Sequence, residues 1–305
     1  MASFDVLTLT LNPAVDRTVT IPRFTPGAVN RVEQTRDTPG GKGVNVASVL
    51  ADHGHRVAVT GFLGRENCGV FEVFFAEKQI ADRFVRIAGA TRVGIKIVDP
   101  AAHTTTDINF PGLSPSLPEL AALRKQISAL DAPWAVLAGS LPPGVDSAFH
   151  RDLAAALKAT GRKVLVDTSG EALRRAVDAA PTILKPNLHE LEELMGERLS
   201  SEMAVLHAAR SFVARGIALV VVSMGKAGAC FVTAEGEAIA RPPEVEIQSS
   251  VGAGDALVAG ILAAQLNRLP LEECARRATA FAVCALTRNA HSADLAAVMQ
   301  QIALA

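Results

Sequence analysis

VGAGDALVAG, from Val251 to Gly260, sets Gly252 and Gly254 ahead of Asp255 and then runs into small and apolar residues that read as a helix. An acid at a helix start is favoured as an N-cap, because it pairs with backbone N–H groups that lack partners inside the helix. A cap does not need two glycines before it. An anion approaching those N–H groups does, since a side chain would block its way. Gly252, Ala253, Gly254 and Asp255 thus offer donors for a phosphate beside a carboxylate able to take a proton. The positive end of the helix is expected to keep Asp255 ionised.

Three further stretches could serve a phosphorylated or hydroxylated ligand. TPGGKGVNVA, Thr38 to Ala47, places Gly40, Gly41 and Gly43 around Lys42 and opens a helix carrying Asn45. It has neither the G-x-x-x-x-G-K-[ST] nor the G-x-G-x-x-G spacing. What remains is a glycine turn at a helix entrance with a cation and an amide. ILKPNLHELEEL ends a strand with Lys185, Pro186 and Asn187 and starts a helix bearing Glu190, and VVVSMGKAGA ends another with Ser223, Gly225 and Gly228. Taken singly these are a helix cap and a tight turn. Both nevertheless fall beyond the carboxyl ends of strands, where open α/β sheets bind ligands.

The elements that must carry these residues are repeated βα units. FDVLTLTLN, RVAVTGF, WAVLAG, KVLVD, TILK and IALVVVS read as strands, and most are followed by a helical pattern. Helices are predicted over residues 44–53, 117–130, 147–159 and 201–215, with three more after Gly254. The alternation predicts an α/β fold with a mainly parallel sheet covered by helices on both faces. Two stretches, about Asp16 to Asp37 and Thr91 to Phe110, have strand composition with no helix between. They predict antiparallel ribbons that either cover a site or extend the sheet as edge hairpins; the first reading divides the chain into a core of residues 1–11, 38–90 and 111–305 and a small β lid of 12–37 and 91–110.

Composition narrows the function. The 305 residues are 49% hydrophobic, and 30 basic residues balance 31 acidic ones. No basic surplus argues for nucleic acid or an anionic membrane surface. MASFDVLTLTLN has no basic n-region, and the apolar runs fall short of a membrane span, so a cytoplasmic protein is expected. Cys68, Cys230, Cys274 and Cys284 have no C-x-x-C spacing and read as reduced thiols, and His53 and His55 read as a solvated turn around Gly54.

Taken in order, NPAVD (Asn12 to Asp16), GGKGVN (Gly40 to Asn45), GSLPPG (Gly139 to Gly144), KPNLHE (Lys185 to Glu190), SMGKAG (Ser223 to Gly228) and VGAGD (Val251 to Asp255) resemble the ribokinase-like PfkB family of carbohydrate kinases. The likeness spans essentially the whole chain. It implies a doubly wound ribokinase-like fold with a β-sheet lid, and transfer of a phosphoryl group from ATP to a sugar phosphate. Fructose 1-phosphate is the first candidate and tagatose 6-phosphate the next. By this resemblance Asp255 is the base, and Gly252, Ala253 and Gly254 form the anion hole. Asp16 and Asn45 bind sugar hydroxyls, and the Gly40–Gly41 turn and Ser140 also touch the substrate. Lys42 and Arg92 are candidates for the phosphate already on the sugar, since a dianion calls for charge-assisted donors. Lys185, Asn187, Ser223, Gly225 and Gly228 contact the nucleotide, and Glu190 organises Mg2+ through water. K+ is a candidate activator, and paired lids imply a homodimer.

Two departures from the family pattern carry information. Where related 6-phosphofructokinases have an arginine in the second lid ribbon, this chain reads Asp107, Ile108, Asn109, which disfavours fructose 6-phosphate. TRNAHSAD, Thr287 to Asp294, lacks a glycine expected near the adenine, so no contact is assigned to Asn289. A non-catalytic sugar-phosphate sensor could dispense with the acid after Gly254, and Asp255 is intact. A nicotinamide oxidoreductase would show G-x-G-x-x-G after its first strand, and this chain does not.

Overall fold

Val6–Thr10 forms the first strand, β1, and its side chains alternate between two separate cores: Val6 joins one, Leu7 and Leu9 the other. The structure, a computed structural model, describes residues 3–246, 252–287 and 292–305. After β1 come β2 (Ala14–Thr20), β3 (Gln34–Gly40), α1 (Lys42–Asp52), β4 (Val57–Gly64), α2 (Gly69–Glu77), β5 (Ala81–Asp82), β6 (Val85–Ile87), β7 (Val93–Asp99) and β8 (Thr104–Asn109). The chain continues through α3 (Leu117–Ala129), β9 (Trp134–Ala138), α4 (Phe149–Ala159), β10 (Lys163–Asp167), α5 (Gly170–Ala176), β11 (Ile183–Leu184), α6 (Leu188–Met195), α7 (Glu202–Val213) and β12 (Leu219–Ser223). Last are β13 (Ala229–Val232), β14 (Glu237–Arg241), α8 (Ala253–Leu266), α9 (Leu271–Thr287), α10 (Ser292–Gln301) and β15 (Ala303–Leu304).

The large sheet runs β15-β14-β13-β12-β11-β10-β9-β1-β4-β5, with β6 also on β4. It is parallel from β5 to β12 and antiparallel from β12 to β15. Parallel strands covered on both faces are apolar throughout, and β1, β4 and β9 are buried at every position. Leu50 of α1, Phe75 of α2, Leu257 of α8 and Phe281 of α9 fill one face, whereas Leu123 of α3, Leu153 of α4, Leu191 of α6 and Leu206 of α7 fill the other. The sheet is therefore doubly wound. The order in which strands are added reverses about β1, which lies between β4 and β9 and runs parallel to both, and such a switch point opens a crevice at the carboxyl ends of the strands.

The expected strands all form, and the expected helices lie within a few residues of their predicted spans. The antiparallel edge of β13, β14 and β15 was not legible, because strands of two to five residues carry too short a pattern. The second sheet has the order β3-β2-β7-β8. Both ribbons are antiparallel, as expected, but β2 runs parallel to β7 and joins them into one sheet. Its first ladder runs from Ala14 opposite Gly40 to Thr20 opposite Gln34, so the pairing reaches past residue 37 to Gly40. Val19, Ile21 and Ile97 make a small apolar cluster of their own.

Candidate active site

Two glycines fix how the helix entrances meet the sheet. Gly252 caps α8 with φ of 86°, a left-handed conformation that disfavours other residues, and turns the chain so that Ala253, Gly254 and Asp255 begin the helix. From Asp255 to Ala264 α8 is buried on every side, so its first acid is carried inward. At α1, a Cβ on Gly43 would lie 2.5 Å from Thr10 Oγ1 and 2.7 Å from the Leu9 carbonyl. Gly43 therefore serves the packing of α1 on β1, and Gly40 and Gly41 remain as the turn.

These entrances converge. Asn45 Nδ2, one turn into α1, donates to Asp255 Oδ2 at 2.7 Å across 210 positions of sequence. The carboxyl end of β10 contributes Asp167, only 1% exposed, whose Oδ1 is 3.0 Å from Lys42 Nζ and 3.2 Å from Lys185 Nζ. Its other oxygen, Oδ2, is buried without a hydrogen-bond partner. Burial alone would lower the Lys42 ammonium, but Asp167, Glu190 and Asp255 together raise its affinity for the proton. Lys42, expected at the substrate phosphate, thus lies among the buried carboxylates.

Asp255 is a weaker acid than the helix entrance alone would make it. Burial, with the Asp167 charge second, raises its pKa from the ordinary 3.8 to about 6, against the opposing effects of Asn45, Lys42 and Lys185. The helix end does not hold it fully ionised: the cost of stripping water from a carboxylate 7% exposed outweighs a partial charge at the helix terminus.

The remaining expected residues fall into two groups flanking this cluster. On the side expected for the nucleotide, Ser223, Gly225, Gly228, Ala253 and Gly254 line a cleft of about 680 Å³ that also reaches Thr279. Asn187 Oδ1 accepts from Glu190 N–H and Glu190 Oε2 from Asn187 N–H, both at 2.8 Å, a reciprocal cap on α6. Asn187 also bridges to Ser223 through the backbone. Lys185 stands with Asp167 inside the cluster. Val251 and Asn289 lie outside the described residues.

On the side of the second sheet, Asp16 packs so closely on the glycine turn that a Cβ at Gly40 would meet its carboxyl carbon at 2.5 Å. Ser140 Oγ accepts from Asn12 Nδ2 at 3.2 Å, which ties the end of β9 to the end of β1. Arg92, expected at the substrate phosphate, directs Nε and Nη2 to the Asn12 carbonyl at 3.3 and 3.1 Å and Nη1 to the Phe110 carbonyl at 3.3 Å. Its guanidinium is partly committed to fastening the base of the second sheet. Asp167 was not singled out in the sequence. The signal available was an acid closing KVLVD, at the carboxyl end of a strand.

The assembled site has a buried carboxylate of raised pKa, bare N–H groups at the same helix end, two lysines, and an adjoining cleft. Such an arrangement can take a proton from a hydroxyl and steady negative charge beside it. Comparison with known proteins gives the same chemistry a family. Residues 3–296 match the pfkB family carbohydrate kinase model. The 1-phosphofructokinase of Xanthomonas campestris pv. campestris is 47% identical over 291 residues, covering 93% of this chain and 92% of that protein. That of Escherichia coli K12 is 38% identical over 305 residues, covering 98% and 97%. Among solved structures, phosphofructokinase-2 from Escherichia coli in complex with fructose-6-phosphate superposes with a TM-score of 0.92 at 29% identity, over 98% of this chain and 99% of that one. The chain belongs to the pfkB family of carbohydrate kinases.

Proposed function

We propose that this protein transfers the terminal phosphoryl group of ATP to fructose 1-phosphate, giving fructose 1,6-bisphosphate and ADP. The observation that carries the reading is the convergence of Asp255, Asn45 and Lys42 where the glycine turn of α1 meets the entrance of α8, beside a cleft large enough for a nucleotide. Asp16 and Asn45 hold the sugar by its hydroxyls, and Lys42 and Arg92 attract the phosphate it already carries. Asp255 accepts the proton as the sugar oxygen forms its bond to the γ-phosphorus and the bond to ADP breaks. The N–H groups at Gly252, Ala253 and Gly254 meet the charge on the moving phosphoryl group.

ATP occupies the cleft bordered by Ser223, Gly225 and Gly228, with Lys185 and Asn187 toward its phosphates. The acidic groups fit a divalent ion: Asp167 has an oxygen with no partner, and only one Glu190 oxygen is taken by the helix cap. Glu190, acting through water, and Asp167 would hold Mg2+, which neutralises phosphate charge and keeps several waters of its own. Closure of the lid over the sugar excludes water that would otherwise compete for the phosphoryl group. Both lid edges are strands with exposed residues, and pairing with a second copy would cover them, so a homodimer is expected.

A substrate panel read by ADP release tests the assignment. With ATP and Mg2+, fructose 1-phosphate should be turned over in preference to tagatose 6-phosphate, fructose 6-phosphate and free fructose. Preference for tagatose 6-phosphate would reassign the sugar, and no ADP from any of the four would refute the reading.

A further inference from the structure

The small sheet carries a row of charges across three of its strands. Lys96 of β7 stands opposite Asp107 of β8 in the ladder, with its Nζ 3.5 Å from Asp107 Oδ1. The same Nζ is 3.7 Å from Asp16 Oδ2 of β2, the strand on the other side. One ammonium is thus shared by two carboxylates across three adjacent strands. The sharing is unequal in exposure: the Asp107 side chain is half in solvent, whereas those of Asp16 and Lys96 are mostly covered.

Asp16 has little room to respond by moving. The backbone of Gly40 and that of Gly94 close on its carboxylate, and a Cβ at either would come within 2.5 and 3.1 Å of it. What the surroundings can change is its proton. Burial pushes the Asp16 carboxyl toward the neutral form, Lys96 and Arg92 pull it toward the charged form, and Asp107 pushes the other way. Thr38 of β3 meets Asp16 only through an uncharged hydroxyl, on the Asp16 carbonyl. Arg92 is tied to the carbonyls of Asn12, Pro13 and Phe110, so Lys96 is the cation with freedom to shift between partners.

We propose that Lys96 is a positioning residue of the sugar site, holding Asp16 ionised so that it accepts hydrogen bonds from two sugar hydroxyls, and that Asp107 limits this effect by competing for the same ammonium. An ionised carboxylate accepts at both oxygens, whereas a protonated one must spend one oxygen as donor, so the pair governs how well a polyol is gripped as pH falls. The inference rests on the reading of Asp16 as a sugar ligand.

Calorimetric titration of the full chain with fructose 1-phosphate, from about pH 5.5 to about pH 8, tests it with Lys96→Met, Lys96→Arg and Asp107→Asn. All are made in an Asp255→Asn background so that the proton on Asp255 does not contribute. The ligand's own titration is common to every variant and cancels in the ratios. Lys96→Met should weaken binding about three-fold or more at the acid end and converge on the parent at the alkaline end. Lys96→Arg should restore the parent profile, and Asp107→Asn should tighten acid-side binding. A loss in Lys96→Met that is equal at every pH, or that grows as the sugar's phosphate becomes a dianion, would make Lys96 a direct ligand contact, and no loss at any pH would make it a bystander. Either result overturns the proposal. Asp16→Asn separates the two levels: if it binds as well as the parent throughout, the assignment of Asp16 to the sugar falls, and this inference with it.

Discussion

Replacing Asp255 with Asn should cripple catalysis and at the same time make the protein more stable. The folded-state pKa of Asp255 is raised from 3.8 to about 6, so between these values the folded protein holds a proton that the unfolded chain has released. Stability therefore falls as pH rises through that window, and above it the full penalty of a buried, charged carboxylate is present. A shift of about two units at about 1.4 kcal/mol each gives roughly 3 kcal/mol at pH 8, and about half of that at pH 5. Asparagine removes the charge while its amide oxygen can still accept the 2.7 Å bond from Asn45. Urea unfolding of both proteins without nucleotide, at pH 5 and pH 8, should show the variant ahead by about 3 kcal/mol at the higher pH and by about half as much at the lower. Turnover should fall by about 10² to 10⁴, the usual contribution of a positioned base. A variant no more stable than the parent at pH 8, or equally favoured at both pH values, would refute the account of Asp255 as a desolvated carboxylate.

The same pKa predicts that kcat/KM of the parent falls below about pH 6, as the base becomes protonated, and a pH–rate profile checks it. Gly40→Ala should raise KM for the sugar phosphate about ten-fold or more and lower the thermal midpoint while leaving KM for ATP nearly unchanged, because the new methyl would lie 2.5 Å from the carboxyl carbon of a closely held Asp16. Lys185→Met should cost about 3 kcal/mol in urea unfolding, the low end for a broken buried pair, since Lys42 still faces Asp167. Gly260→Ala should cost about 1 to 3 kcal/mol without changing KM, because its Cβ would lie 2.6 Å from Ala278 Cα where α8 crosses α9.

The sequence by itself determined the alternation of strands and helices, since the apolar runs of Val6–Thr10, Val57–Gly64 and Trp134–Ala138 follow from residue type alone and demand burial on both faces. It also placed the glycine turns before Asn45 and Asp255, because small residues at a helix entrance are a local signal. Local pattern could not reveal that β2 and β7 pair in parallel, nor that Lys42 and Lys185 share one oxygen of Asp167, since those partners meet only when separate strands and helices are assembled side by side.

The state of Asp255 shows where the division falls. Its position at a helix start was readable, and the helix end alone argued for an ionised acid. Its burial under α1 and beside Asp167 was not, and burial sets the proton. Desolvation depends on everything packed around a group, which only the folded chain assembles, whereas a helix entrance depends on a few neighbouring residues.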